Sequence, residues 1–297
     1  MRILNICRND FAGVAIKLTE ALRQHTKHEA RLLCNYGHEF GYPTDIVRRK
    51  RSAVHKWIDW ADVVNCFGPL NVLQKKRPKN LIVTYVGSYF RNRAGTVPLI
   101  AKKFGAKRQI ALAPWQIERA SMNGFKFDLV PIAMPVDRLL KMKKKHKVIP
   151  IVCQSPSDYE RKNTFKILKI LKKNTKLKIL IIHGVQWDEC MRRKAEADIY
   201  IGSFKHAYGV SSLEAMAMKI PVIGHYPELV ENALLKYIGY LPYYDCKLEN
   251  LLEGIRSLCA TKTYYKYADR GFNFMKKHHD YPVVARRFSE ICEEVVK

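Results

Sequence analysis

One short loop and the helix after it carry residues that suit a phosphate ligand. Gly209 and Ser211 stand where a helix is predicted to begin, and Glu214 lies one turn further along it. The first backbone N–H groups of a helix have no partner within the helix, and they lie at the positive end of its dipole. The pattern therefore predicts an anion site, with Glu214 either exposed or directed at a polar ligand. The alternative is an ordinary α/β helix with one solvated glutamate.

A second loop supplies two cations that suit the same ligand. Arg161 and Lys162 precede Thr164, where another helix is predicted to begin. Lysine offers a point charge and arginine a planar fork of donors, and both bind the oxygens of a diphosphate well. The alternative is a loop of solvated surface cations.

Strands and helices alternate around these loops. A strand at 198–201, a helix at 210–218 and a strand at 221–224 form a βαβ unit, which indicates a parallel sheet. The same alternation begins at the N-terminus, where the loop 8–13 follows the first strand. That loop contains a single glycine, Gly13, so it lacks the G-x-G-x-x-G dinucleotide fingerprint.

The segment G-V-S-S-L-E-A-M-A-M-K-I-P-V-I (209–223) resembles the donor-site signature of retaining GT-B glycosyltransferases of the family 4 type. The resemblance implies two Rossmann-like domains whose parallel sheets face a cleft, with a C-terminal helix that returns to the first domain. The expected boundaries are 1–140 for the acceptor domain, 148–275 for the nucleotide-sugar domain and 276–297 for the returning helix. Residues 138–147 would form a basic linker or a short helix.

The same resemblance implies roles for individual residues. Glu214 matches the second glutamate of the family motif, which holds the ribose, and His206 stands where the first glutamate is usual. From this, Glu214→Ala is expected to abolish donor turnover and to leave the fold intact. The implied catalytic residues are Glu214, His206, Arg161 and Lys162. The implied donor-binding residues are Gly13, Ser155, Lys162, Thr164, His183, Gly184, Val185, Tyr208, Gly209, Val210, Ser211 and Glu214.

An acceptor site is expected after the apolar strand at 81–86. There the family carries a T-Y-H-G-S-x-x-R pattern, and this chain keeps its Gly, Ser and Arg but has Val86 in place of the His. Rings and cations alternate in this stretch, a composition that suits nucleotide stacking and phosphate contact. The alternative is a capped helix start with ordinary surface arginines. The predicted acceptor residues are Gly87, Ser88, Tyr89, Arg91 and Arg93.

Charge points to the nature of the acceptor. The chain has a formal net charge of +26, and residues 1–146 hold 28 basic against 10 acidic residues, a net charge of +18. So strong a bias indicates a polyanionic partner. A hydroxylated base in DNA is the favoured acceptor, with UDP-sugar as the favoured donor. The alternatives are an anionic envelope glycan or membrane-linked acceptor reached by peripheral membrane contact, and a non-catalytic nucleic-acid-binding protein on a GT-B scaffold.

Composition excludes several other classes. At 297 residues the chain has room for two α/β domains, and its apolar runs are too short for a transmembrane helix. The first strand begins within two residues, which is not a signal peptide. Eight scattered cysteines without a C-x-x-C pair indicate reduced thiols in a cytoplasmic protein rather than a cysteine zinc site. The absence of a D-x-D triplet argues against the metal-dependent GT-A alternative and makes a divalent ion optional. No metal site and no cofactor are expected, the donor substrate being a nucleotide diphosphate sugar.

Overall fold

The computed structural model describes residues 1–38, 40–47, 51–144, 149–172 and 177–297. Most of the basic run at 48–51 and the last residues of the predicted linker 138–147 lie outside these ranges. None of the described helices is long and apolar enough to cross a membrane. The chain divides into two compact units, of which unit 1 comprises residues 1–133 and 279–297 and unit 2 comprises residues 134–278. The sequence placed these divisions at 140, 148 and 275.

Unit 1 is built on a parallel sheet. Within the described ranges it has seven strands in the order β3-β2-β1-β4-β5-β6-β7, numbered along the chain. Every neighbouring pair in it is parallel. The strands are β1 (Arg2–Cys7), β2 (Glu29–Cys34), β3 (Ile46–Val47), β4 (Val63–Phe67), β5 (Leu81–Tyr85), β6 (Ala106–Ala111) and β7 (Asp128–Leu129).

The helices of unit 1 cover this sheet. They are α1 (Val14–His25), α2 (Arg51–Trp60), α3 (Gly87–Arg91), α4 (Val97–Phe104), α5 (Pro114–Ser121) and the last helix of the chain, α13 (Tyr281–Val296). Helix α13 packs against α1, where the hydroxyl of Tyr281 donates to Glu20 Oε2 over 2.8 Å. Asp280 caps the start of α13 by accepting the backbone N–H of Tyr281. The predicted return of the C-terminal helix to the first unit is therefore confirmed.

A buried chain of hydrogen bonds links the central strands of unit 1. Asn65 Nδ2 donates to Asn5 Oδ1 over 2.9 Å, and Thr84 Oγ1 donates to Asn65 Oδ1 over 2.7 Å. Asn5 Nδ2 in turn donates to Thr19 Oγ1 on α1. Because an unpaired buried polar group costs more than a paired one gains, this chain fixes the register of β1, β4 and β5. The rest of β5 is apolar and buried at every position, as expected for a strand covered on both faces.

Unit 2 repeats the plan with a smaller parallel sheet. In the part of unit 2 that the structure describes, five strands run in the order β12-β11-β10-β8-β9. They are β8 (Ile151–Gln154), β9 (Lys178–Ile181), β10 (Ile199–Ile201), β11 (Val222–Gly224) and β12 (Tyr244–Asp245). The helices are α6 (Val136–Met142), α7 (Thr164–Leu171), α8 (Trp187–Lys194), α9 (Val210–Ala217), α10 (Glu228–Ile238), α11 (Leu251–Cys259) and α12 (Thr261–Phe274).

The core of unit 2 lies between its strands and the helices α7 and α11. Val152, Ile199 and Ile223 from three neighbouring strands meet Ile167 and Ile255 from these helices. Each of these side chains is essentially shielded from solvent. Their packing fixes the strand ends, and therefore the loops that follow the strands at the carboxyl edge of the sheet.

Candidate functional site

The start of α9 is an open helix N-terminus in unit 2. Gly209 is the N-cap residue in an extended conformation, and within the described chain no side chain caps this helix. The first intrahelical bonds begin with the N–H groups of Ser212 and Leu213, which both donate to Gly209 O. The N–H groups of Gly209, Val210 and Ser211 therefore stand before the helical ladder, where an anion can accept them.

Lys162 lies beside this helix start. A Cβ atom added to Gly209 would lie 3.5 Å from Lys162 Nζ, an ordinary contact distance, so the ammonium group lies next to the start of α9. The loop that carries Lys162 is held by Gln154 at the end of β8, whose Nε2 donates to Lys162 O over 3.1 Å. The structure thus brings together the cation and the helix N-terminus that the sequence predicted for one diphosphate.

The neighbours of Lys162 divide between surface and interior. Arg161 is exposed, and its backbone N–H donates to Asp158 Oδ1 over 2.8 Å. Thr164 begins α7 and is fully buried, so its side chain is not presented at the surface. Ser155 directly follows β8, and its Oγ lies 2.9 Å from the hydroxyl oxygen of Tyr200. Of the predicted residues in this loop, Lys162 is the one that the structure places at the start of α9.

The loop after β9 contributes His183, Gly184 and Val185. His183 is exposed, its Nδ1 lies 2.8 Å from Pro156 O, and its ring meets the edge of Tyr159 with centroids 4.8 Å apart. Gly184 is also exposed and has a φ of +68°, a left-handed conformation that favours glycine. Because β9 and β8 are adjacent parallel strands, the loop after β9 lies beside the loop after β8 at the carboxyl edge of the sheet.

Glu214 is a buried, ion-paired acid rather than a solvated one. It is 3% exposed, and its Oε2 lies 2.7 Å from the Nζ of Lys194, which is 0% exposed. Trp187 Nε1 donates to the other carboxylate oxygen over 2.9 Å. Burial opposes the charge of Lys194, yet Glu214, together with Cys190 and Tyr200, raises the pKa of this lysine. Both interpretations of Glu214 offered by the sequence, an exposed acid or one aimed at a ligand, missed this ion pair.

The ion pair also contacts the first turn of α9. Lys194 ends α8, and its Nζ lies 3.4 Å from Ser211 O in the first turn of α9. Glu214 therefore holds the cation that contacts the turn in which the free N–H groups lie.

His206 and Tyr208 lie on the loop between β10 and α9. His206 is partly exposed, and its backbone N–H donates to Ser203 Oγ over 3.2 Å. Tyr208 is buried, with its ring edge against Tyr226 and Phe274. Tyr208 is therefore a packing residue of this loop, whereas His206 is the member of the predicted pair that reaches the surface.

Unit 1 has its own cavity of about 740 Å³ at the carboxyl edge of its sheet. Ser88, Tyr89 and Arg93 from the predicted acceptor stretch line it, as does Val86. Gly87 and Arg91 do not line it, because Gly87 begins α3 near Trp115 and the Arg91 guanidinium lies over the Trp115 ring at 5.8 Å. The remaining lining residues are Arg8, Asn9, Asp10, Tyr36, Phe67, Gly68, Pro69, Asn71 and Asn92.

Most of those lining residues were absent from the prediction. Arg8, Asn9 and Asp10 directly follow β1, and Tyr36 follows β2 by two positions. Because ligand sites of parallel sheets lie beyond the carboxyl ends of their strands, this rule pointed to them. The cavity combines aromatic rings, two arginines and three side-chain amides, which can stack on a flat ring, contact phosphate and read hydrogen-bonding edges.

Asp10 occupies the N-terminus of α1. Its two carboxylate oxygens accept the N–H groups of Ala15 and Ile16 over 2.7 and 2.8 Å. Burial raises the pKa of Asp10 to about 6, although these N–H groups and the Lys17 ammonium act in the opposite direction. The anion site of this helix is therefore already filled by a side chain of the protein.

Gly13 has a packing role beside this carboxylate. Its φ is +67°, and an added Cβ would lie 2.3 Å from Tyr42 Cε1. The glycine is therefore required by its backbone conformation and by the ring of Tyr42. The prediction that Gly13 binds the donor does not gain support, because Tyr42 covers the space beside it.

Known proteins resemble this chain in structure rather than in sequence. No protein-family model matches the sequence, and a search of curated proteins finds no significant match. Solved structures do match. HepE of Anabaena in complex with UDP-glucose gives a TM-score of 0.75 at 11% identity, over 99% of this chain and 100% of that chain. A glycosyltransferase from Rickettsia africae gives 0.70 at 14% identity, over 100% and 98%.

A third match includes nucleic acid. An α-glucosyltransferase in complex with UDP and a 13-mer DNA containing an HMU base gives a TM-score of 0.69 at 10% identity, over 100% of both chains. The chain has the GT-B glycosyltransferase fold. The predicted α/β class and the GT-B fold are thereby confirmed. Among the described residues of this GT-B chain, the open start of α9 and the unit 1 cavity are two features that can hold a ligand.

The ion pair predicts how the GT-B chain responds to mutation. Lys194→Met and Glu214→Leu should each lower the free energy of unfolding by about 3–5 kcal/mol, because each leaves one buried charge unpaired. The double variant should be closer to the wild type than either single variant. Urea unfolding followed by circular dichroism measures all three. Losses that simply add would contradict the pairing, and the earlier expectation that Glu214→Ala leaves the fold intact is replaced by this one.

Asp10 predicts a pH dependence of stability. Its pKa is raised to about 6 in the folded state from 3.8, so the folded state binds a proton more tightly than the unfolded state. Stability should therefore fall as the pH rises between these values, by about 3 kcal/mol for a fully buried group. The difference in unfolding free energy between wild type and Asp10→Asn should change by that amount from about pH 4 to about pH 7. A pH-independent difference would contradict the raised pKa.

Proposed function

We propose that the chain is a retaining glycosyltransferase that moves a sugar from a UDP-sugar to a hydroxylated base in DNA. The observation that carries the proposal is the approach of the Lys162 ammonium group to the uncapped start of α9. On a GT-B fold this arrangement suits the diphosphate of a nucleotide sugar. The UDP and UDP-glucose complexes of proteins with this fold support the choice of donor.

The donor chemistry is electrostatic. As the bond between sugar and diphosphate breaks, negative charge grows on the leaving phosphate. Lys162 and the N–H groups of Gly209–Ser211 stabilise that charge. Fixed donors act here without having to reorganise during the reaction.

Two residues take roles that differ from the family pattern. We assign Glu214 as a positioning residue, because it holds Lys194 against the first turn of α9 rather than reaching a ligand. His206, partly exposed on the loop before α9, is the candidate for contact with the sugar. No metal is required for this chemistry, since the charge of the leaving group is balanced by the protein.

The unit 1 cavity is the proposed acceptor site. At about 740 Å³ it falls within the size range of ligand pockets, which is roughly 300–1,000 Å³. Tyr36 and Tyr89 offer ring faces for a base turned out of the duplex, and Arg8 and Arg93 offer cations for its phosphates. The net charge of +18 over residues 1–146 favours a polyanion. The DNA complex of an α-glucosyltransferase with the same fold supports the choice of DNA as acceptor.

A transfer assay tests the proposal. The chain is incubated with each of several UDP-sugars and with duplex oligonucleotides that contain 5-hydroxymethylcytosine, 5-hydroxymethyluracil or only unmodified bases. Mass spectrometry should show the gain of one sugar on a hydroxymethylated strand and none on the unmodified strand. Binding of UDP and DNA without transfer would instead favour the non-catalytic nucleic-acid-binding protein. Transfer to glycan acceptors alone would favour the envelope enzyme.

A pair of variants locates the acceptor site. Arg93→Ala should lower kcat/KM for modified DNA about tenfold or more, since a lost charge-assisted contact costs about 1.5–3 kcal/mol. Lys126→Ala is the matched control, because Lys126 is exposed in the same unit and does not line the cavity. Equal losses in both variants would point to a diffuse charge effect and would contradict the assignment of the cavity.

A further inference from the structure

Three side chains that belong to neither proposed ligand site meet at the carboxyl edge of the unit 2 sheet. His225 directly follows β11, Asp245 is the last residue of β12, and Glu231 lies near the start of α10. Strands β11 and β12 are neighbours, with Gly224 paired with Asp245. One possible ligand atom from each residue lies within 4.8 Å of the other two. The fold therefore holds an imidazole and two carboxylates at one point.

The charge of this cluster is unbalanced. His225 Nδ1 lies 2.8 Å from Asp245 Oδ1 and 4.0 Å from Glu231 Oε1. Over the part of the chain that the structure describes, neither carboxylate forms an ion pair with a lysine or an arginine, although these residues number 53 in the sequence. A neutral imidazole leaves two negative charges at the cluster, and a protonated one still leaves one. Two carboxylates held this closely repel each other unless a cation lies between them.

A buried hydroxyl orients one of the carboxylates. Tyr243 is 0% exposed, and its OH donates to Glu231 Oε1 over 3.1 Å. Hydrogen bonds of this kind orient the carboxylates and histidines that bind metal ions. The same carboxylate has a raised pKa, because of burial and then the charge of Asp245. Glu231 is therefore held in place by the protein while its negative charge stays without a full counter-ion.

We propose that His225, Glu231 and Asp245 bind a divalent transition-metal ion, with Zn²⁺ as the best fit. One nitrogen and two oxygen ligands suit Zn²⁺, which accepts His, Asp and Glu at about 2.0–2.2 Å. Mg²⁺ and Ca²⁺ prefer ligand sets made of oxygen alone. Closing the cluster around Zn²⁺ requires the His225–Asp245 contact to open slightly and Glu231 to approach by a side-chain movement.

The site has a structural consequence for unit 2. The ion would join β11, β12 and α10, and the backbone N–H of His225 already donates to Ser203 O over 3.0 Å. Ser203 lies in the loop between β10 and α9. The metal would therefore stabilise the carboxyl edge from which that loop starts. It takes no part in the proposed transfer, so this site stands independently of the proposed function.

Zinc titration of the full chain tests the proposal. Isothermal titration calorimetry is performed with ZnCl₂ on protein freed of metal by a chelator, in a Cys259→Ser background because Cys259 is an exposed thiol. One Zn²⁺ should bind per chain. His225→Ala and Asp245→Asn should each weaken this binding at least about tenfold. The melting temperature should rise with Zn²⁺ in the background protein and not in these variants.

A second histidine variant serves as the control. His25→Ala removes an exposed histidine of α1 and should leave Zn²⁺ binding unchanged. Circular dichroism without metal shows whether each variant is folded. If His225→Ala does not fold, Asp245→Asn provides the test of zinc binding. Absence of one-to-one binding, or equal affinity in the background protein and in a folded His225 or Asp245 variant, would overturn the site and leave the cluster as a hydrogen-bonded His–Asp pair.

Discussion

The contact between Lys194 and Glu214 determines how unit 2 can present a helix start to a ligand. Two opposite charges lie in a site almost closed to solvent, and each is stable there only because of the other. The pair ties the end of α8 to the first turns of α9, and Trp187 completes the hydrogen bonding of the carboxylate. A misplaced α9 would separate the charges. The helix start, and with it the row of N–H groups before the ladder, is therefore fixed by an interaction inside the protein.

Lys162 shows what that fixed helix start makes available. The loop that carries Lys162 follows β8, and α9 follows β10. Because β8 and β10 are neighbours in the sheet, the loop and the helix start lie close together. The Lys162 ammonium group lies next to Gly209 at the helix start. Unit 1 has a comparable helix start at α1, but Asp10 fills it with a carboxylate. The two units thus use the same element differently, because unit 2 leaves the helix start open and unit 1 closes it with a side chain.

Much of the fold could be predicted from the sequence, whereas contacts between distant segments could not, because they depend on packing. Short apolar runs alternating with amphipathic stretches predicted parallel sheets, and the segment around Gly209–Ile223 pointed to the GT-B fold. The sequence did not show that Glu214 is buried, because its partner Lys194 lies on a different helix and their meeting depends on packing. It did not show why Gly13 is a glycine, since the reason is the ring of Tyr42, distant in the sequence.

The acceptor side shows the same limit. Local spacing selected five residues, Gly87, Ser88, Tyr89, Arg91 and Arg93, and three of these five line the unit 1 cavity. Arg91 instead lies over the ring of Trp115, a contact between separate helices that spacing along one segment cannot reveal. Residues after β1 and β2 complete the cavity because neighbouring parallel strands end at one edge. Side chains from distant segments are therefore the part of the site that requires the fold.

UDP binding by the Lys162→Ala variant tests the central claim most directly. Lys166→Ala is the matched control, because Lys166 is an exposed lysine one turn further along the same segment. Calorimetric titration should show UDP bound at least about tenfold more weakly by Lys162→Ala than by the wild type, in keeping with the loss of a charge-assisted phosphate contact. Lys166→Ala should bind like the wild type. Equal affinity in Lys162→Ala and the wild type would contradict a diphosphate site at the start of α9.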